Sequence, residues 1–197
     1  MGEGDNASMR ADRLATAADR ILIDLDLMSR LAAAGRPVLV GSAAVKLMAV
    51  PDIDFSILCP GAPDTGAIFR IGQLVFDHPW VERAYVVDER GGFRSVPGPE
   101  FDGIYLGVRY YDGGTRAGIE WRIDCWFFPE TLPRPDIAML DRLLAASPEE
   151  RAAILRIKHA LLASGRYKRD VHGIDVYRAV LDGGVRTMAG FDRIIRM

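Results

Sequence analysis

A chain of 197 residues that is 49% hydrophobic and 26% charged can bury roughly 70% of its unfolded surface, enough for one substantial core. Its formal net charge of −2 weighs against binding nucleic acid by backbone electrostatics alone, so a nucleic-acid partner stays open but unsupported by charge. No apolar stretch is long enough to span a bilayer and the N-terminus lacks a signal peptide's apolar region, which predicts no membrane partner and a cytoplasmic protein. Cys59 and Cys125 have neither metal-ligand spacing nor the density of a disulfide scaffold, and read as buried free thiols.

Residues 1–9 are polar and glycine-rich and are expected to be loose. From there to Ala34, apolar residues recur at Leu14, Ala18, Ile21, Leu25, Met28 and Ala32, the spacing of one long packing helix. Asp12, Asp19, Asp24 and Asp26 form its solvated face, and Gly35 and Pro37 stop it.

Val38-Leu39-Val40 reads as a strand ending at Gly41-Ser42; a short amphipathic segment follows, and a second strand carries Asp52-Ile53-Asp54. Strand alternation puts Asp52 and Asp54 on one face, with Ile53 and Phe55 on the other. Two carboxylates side by side repel unless a cation lies between them, and Mg²⁺ with oxygen ligands is the usual one. For this pair alone, a solvated strand face is an equal reading. Gly41 permits a backbone conformation that other residues resist and Ser42 can cap the helix behind it, so backbone N–H groups there could hold a phosphate beside a metal.

Pro60-Gly61-Ala62-Pro63 makes a loop, Thr65 can cap a helix running to about Phe76, and Trp80 to Asp88 reads as a strand. Arg90 through Pro99 is expected to be an exposed connection rather than a lid. Phe101 to Tyr111 and Ala117 to Phe128 are strands joined by the hairpin sequence Asp112-Gly113-Gly114. In the second, Ile119, Trp121, Ile123, Cys125 and Phe127 share one face, and Glu120, Arg122, Asp124 and Trp126 share the other. A carboxylate as deep in an apolar run as Asp124 needs a metal or an arginine as partner. Adjacent strands lie about 4.8 Å apart, so Asp124 converges with Asp52 and Asp54 if their strands are neighbours. Pairing of Asp124 with Arg122 is the competing reading, and Glu120 is the rival for a third acid.

Pro129, Pro133 and Pro135 end the sheet, and the remainder reads as helical. Asp136 to Ala146 is one short helix; Ser147-Pro148-Glu149-Glu150 is a capping box that starts another, running to about Ala163 and ended by Gly165. Lys158 falls inside the apolar stripe of Ile154, Ile157, Leu161 and Leu162, so it either snorkels out or serves an anion. Helices from Ile174 to Leu181 and Phe191 to Ile195 are expected to close the core. The whole predicts an α+β fold: a small mixed sheet flanked by helices over residues 1–133, with a C-terminal helical segment over 134–197 packed on it. His78, His159 and His172 stand apart in sequence, which weighs against a metal-dependent phosphohydrolase.

Gly-Ser, nine residues, then Asp-Ile-Asp resembles the signature of the polymerase-beta-like nucleotidyltransferase superfamily. Lys158, Arg166, Arg169-Asp170 and Ile174-Asp175 are similar to a C-terminal helical motif of bacterial abortive-infection nucleotidyltransferase toxins. The resemblance implies transfer of a nucleoside monophosphate from a nucleoside triphosphate to a hydroxyl acceptor, whether small molecule, RNA or protein. It implies two Mg²⁺ ions, or Mn²⁺ in their place, held by Asp52, Asp54 and Asp124, with Gly41 and Ser42 cradling phosphates. Lys158 would bind the triphosphate, flanked by Arg166, Lys168 or Arg169, while Asp170 and Asp175 hold the turn or assist. Ala49, Val50 and Pro51 depart from the pattern, since the toxins usually carry an arginine and a serine or threonine there. The alternative is a catalytically inactive member of the same fold that binds nucleotide or a partner protein.

Overall fold

The computed structural model describes residues 3–95, 98 and 101–195, with side chains from residue 6 onward. Five strands form one mixed sheet: β1 (Arg36–Val40), β2 (Asp52–Cys59), β3 (Val81–Asp88), β4 (Ile104–Asp112) and β5 (Ile119–Pro129), in the order β1-β2-β5-β4-β3. Only the central β2–β5 pair is parallel; the others are antiparallel. The helices are α1 (Glu3–Asp24), α2 (Leu27–Ala32), α3 (Gly41–Ala44), α4 (Thr65–Phe76), α5 (Pro135–Leu144), α6 (Pro148–Ala163), α7 (Gly173–Leu181) and α8 (Met188–Ile195). This is the α+β arrangement that the sequence predicts. Among the described residues no helix is long and apolar enough to cross a membrane.

Strand alternation decides which face is buried. Ile53, Phe55 and Ile57 of β2, Leu106 and Val108 of β4, and Trp121, Ile123, Cys125 and Phe127 of β5 are all under 2% exposed and pack against α1, α2 and α4. Each large apolar side chain so buried contributes about 1.5–3 kcal/mol over leaving it exposed. The opposite face keeps Asp52, Asp54, Arg122 and Asp124. A second apolar cluster joins α5 to α8 with Val45, Leu47 and Ala49 and with Ala7 and Ala11 of α1. One helix therefore serves both clusters.

Four local expectations are corrected. The first helix breaks at Asp26, whose φ of 46° is left-handed and places Leu25 and Leu27 both in the core. Of the segment expected to be loose, residues 3–9 are helical, because Ala7 seals the second cluster; residues 1 and 2 lie outside the described residues. Asp64, not Thr65, caps α4, accepting hydrogen bonds from the Gly66 and Ala67 N–H groups at 2.8 and 3.2 Å. Asp24 is not merely solvated, since it accepts a hydrogen bond from the buried Tyr110 hydroxyl at 2.8 Å. The Ser147–Glu150 capping box starts α6 as expected. In the 90–99 connection, Glu89 accepts hydrogen bonds from the Ser95 N–H and hydroxyl, while Val96, Pro97 and Pro99 lie outside the described residues.

Candidate active site

The site begins with register. Because β2 and β5 run parallel with Asp54 opposite Asp124, the acidic face of one strand meets the acidic face of the other. One oxygen from each of Asp52, Asp54 and Asp124 lies within 4.8 Å of the other two. Three carboxylates with no soft donor among them fit a hard, oxygen-preferring divalent cation. Their electrostatics point the same way. Burial and then the neighbouring Asp52 carboxylate push Asp54 up to about 7, and the same two causes raise Asp124.

Each acid has its own support. Asp52, 2% exposed, accepts a hydrogen bond from the Lys168 ammonium and pairs with Arg122 at 3.4 Å. Burial opposes the charge on Lys168, but the Asp52 and Asp54 carboxylates outweigh it and hold the ammonium above its ordinary range. Asp124 accepts a hydrogen bond from the Tyr105 hydroxyl at 2.8 Å and has Arg109 at 3.8 Å. Tyr85 stands behind, 3.3 Å from the Tyr105 oxygen, and its own oxygen accepts from Arg109 at 3.2 Å. These tyrosines close over Gly107, which faces Asp124 across the β4–β5 ladder; a Cβ there would lie 2.5 Å from Tyr85 and 2.6 Å from the Tyr105 oxygen.

Gly41 sits against the acids. Its φ of +66° is left-handed, and a Cβ on it would come 2.5 Å from Asp54 Oδ2. With Ser42, it forms one wall of a 180 Å³ cleft that Asp52 and Asp54 also line. Tyr167 and Lys168, from the loop between α6 and α7, and Tyr177 of α7 face them, beside an apolar wall of Met139, Leu140 and Leu143. Lys168 holds a φ of +65° in the tight loop between α6 and α7, which aims its side chain back at β2.

The structure separates the basic residues that the sequence grouped. Lys168 reaches the acids, whereas Arg166 pairs with Asp192 at 2.6 Å and the exposed Arg169 pairs with its neighbour Asp170 at 2.6 Å. Asp175 accepts a hydrogen bond from the His172 backbone at 2.8 Å and so holds the start of α7. Lys158 neither snorkels out nor lines the cleft: it is fully buried and donates to the Leu47 carbonyl at 2.6 Å and the Tyr177 hydroxyl at 3.2 Å. Glu120 is drawn away to the Tyr111 hydroxyl at 2.6 Å and to Arg109 at 3.6 Å, leaving Asp124 as the acid beside Asp52 and Asp54. Sequence reasoning missed Tyr105 and Tyr85; alternation along β3 and β4 was the available signal, but without the register it could not say which carboxylate they meet.

No family model matches this chain, and no curated protein matches it. Among solved structures, it is similar to E. coli MS115-1 CdnC with ATP (14% identity, TM-score 0.49), over 93% of this chain and 64% of that one. It is similar to terminal uridylyl transferase 4 from Trypanosoma brucei (16% identity, TM-score 0.49), over 85% of this chain and 53% of that one. A third similarity is to a cytoplasmic RNA terminal U-transferase (14% identity, TM-score 0.44), over 78% of this chain and 40% of that one. The chain thus spans between 40% and 64% of the length of these proteins.

Proposed function

We propose that this protein is a metal-dependent nucleotidyltransferase that moves a nucleoside monophosphate from a nucleoside triphosphate to a hydroxyl acceptor. The observation that carries the reading is the convergence of Asp52, Asp54 and Asp124 within 4.8 Å beside the left-handed Gly41. Asp52 and Asp54 would hold Mg²⁺, or Mn²⁺ in its place, with Asp124 as the third carboxylate. Bound there, such ions supply neutralisation of charge on the α-phosphate and on departing pyrophosphate. Gly41 keeps the wall beside Asp54 free of side chain, so that with Ser42 it can admit the distal phosphates against backbone N–H groups. Lys168 exchanges Asp52 for a phosphate oxygen, a short move for a flexible ammonium already at the cleft. Tyr167 and Tyr177 line the cleft on the side of α7, where a nucleobase would pack against them. Asp124 lies on the β4 side of the trio, where it can accept the proton of an attacking hydroxyl while Tyr105 fixes its orientation.

Labelled nucleoside triphosphates with Mg²⁺, offered against small-molecule pools, RNA and protein from a cell extract, test this reading. Label should pass to an acceptor with release of pyrophosphate, and Asp52→Asn and Asp54→Asn should abolish transfer while the fold persists. Full activity in those variants would overturn it.

The double pairing of Asp52 with Lys168 and Arg122 favours a second reading, in which the acids are kept as a charge network in an inactive nucleotide- or partner-binding protein. Stabilisation by Mg²⁺ and a nucleoside triphosphate without any pyrophosphate release would select it.

A further inference from the structure

A second, larger cleft of about 570 Å³ opens between α1, α6 and the turn into α8, and it shares no lining residue with the carboxylate cleft. Its polar lining consists of Asn6, Arg10, Arg156, His159, Arg186 and Thr187, and among the described residues no carboxylate lines it. Helical spacing accounts for two of these six, Arg156 and His159. Arg156, His159, Ala160 and Ala163 stand three, four and seven residues apart and so share one face of α6, where the alanines leave room beneath the longer side chains.

The cations here are unevenly committed. Arg186 pairs with Glu150 at 3.3 Å and donates to the Val180 and Val185 carbonyls at 3.0 and 3.1 Å. Arg10 and Arg156 make no ion pair among the described residues, and the hydrogen bond Arg156 donates is a 3.5 Å contact to the Arg186 carbonyl. A third observation is independent of charge: His159 lines the cleft, and its Nε2 is buried with no hydrogen-bond partner. Burial, then the positive charges of Arg10 and Lys158, hold its imidazole below the ordinary range, so at neutral pH this nitrogen needs a partner without the imidazolium charge. An orphaned buried nitrogen is unfavourable, and the positive charge of Arg10 beside it adds to the need for an anion.

We infer that this cleft binds a phosphate-bearing ligand of nucleotide size. Phosphate oxygens match both unmet needs: planar guanidinium groups bind them through paired N–H donors, and the same oxygens can accept from His159 Nε2 and the Thr187 hydroxyl. The volume lies within the roughly 300–1,000 Å³ of small-molecule sites, well above what a lone inorganic ion requires. The chain's small negative net charge makes the local excess of cation a feature of this concavity rather than of the whole surface. A free nucleotide and the end of a polynucleotide present the same chemistry here.

The test uses the full chain carrying ¹⁵N-histidine, in EDTA so that the carboxylate cleft holds no divalent cation. ATP, inorganic triphosphate and a short single-stranded RNA are titrated separately while the imidazole nitrogens of His159 are followed. Each should shift the His159 Nε2 resonance. Since Arg10 and Arg156 are exposed, R10Q/R156Q should keep the native circular dichroism and bind at least roughly tenfold more weakly. RNA saturating at lower concentration than ATP assigns the site to a polynucleotide end, and the reverse order to a free nucleotide. A His159 resonance that no phosphate moves, or a shift that R10Q/R156Q leaves at full affinity, overturns the proposal. Neither result touches the transfer reaction, whose residues lie in the other cleft.

Discussion

Replacing Lys158 with Met removes a charge from the inside of the protein and should flatten one region of its stability–pH profile. The ammonium is fully buried, and burial, then the positive charge of Lys168, hold it down to about 7 from an ordinary 10.5, with Asp54 and Asp52 opposing. In the depressed-lysine case the unfolded chain binds the extra proton between those two values, so stability rises with pH across the window and is constant below it. The slope is about 1.4 kcal/mol per pH unit, which gives the wild type close to 2.5 kcal/mol more than Lys158→Met between about pH 7.5 and about 9.5. The substitution also leaves the Leu47 carbonyl and the Tyr177 hydroxyl without their donor, a cost of about 1–3 kcal/mol that does not vary with pH. The readout is therefore the difference in slope, measured by urea denaturation across the window, with thiol and phenol titrations common to both chains cancelling. Parallel profiles would refute the buried-charge argument. Transfer activity should survive in Lys158→Met and fall sharply in Lys168→Met, since only Lys168 lines the carboxylate cleft.

Asp54 should act in the opposite sense. Its carboxyl is raised from 3.8 to about 7, so the stability it contributes is fully present below about pH 4 and lost as pH rises through 7. Metal-free protein should show falling melting temperatures over that window, with Mg²⁺ restoring them and Asp54→Asn lacking the fall; a variant that tracks the wild type would count against it. Gly41→Ala must take an alanine into a left-handed φ with its Cβ 2.5 Å from Asp54 Oδ2. It should cost about 1–2 kcal/mol by denaturation and abolish transfer, and an active, fully stable variant would show that the approach is relaxed. Tyr105→Phe removes the hydrogen bond to Asp124, and should lower kcat by about tenfold with KM for the nucleoside triphosphate unchanged. A rise in KM alone would place Tyr105 in nucleotide binding instead.

Local chemistry made much of this protein legible in advance. Period-two alternation put Asp52 with Asp54, and Arg122 with Asp124, on shared faces; the Ser147–Glu150 box started α6; Asp112-Gly113-Gly114 turned the hairpin. Each depends on residues at most a few positions apart, where backbone geometry suffices. The break at Asp26 and the helical residues before position 10 escaped the same reasoning, because distant apolar clusters decided them.

Side-chain destinations belonged to the tertiary structure. Alternation could place Asp124 on a polar face but could not say that this face lies against β2; parallel pairing with Asp54 opposite Asp124 did that, and a slip of one residue would have turned it into the apolar layer. Helical spacing put Lys158 in a buried stripe, yet only the approach of Leu47 and Tyr177 gave its ammonium partners, behind the wall of the cleft that Tyr177 lines. Of the basic residues after α6, Lys168 alone reaches the acids, because Arg166 and Arg169 are claimed by Asp192 and Asp170. A sequence lists which charges a chain carries, and folding determines which of them must share a space too small and too dry to hold them apart.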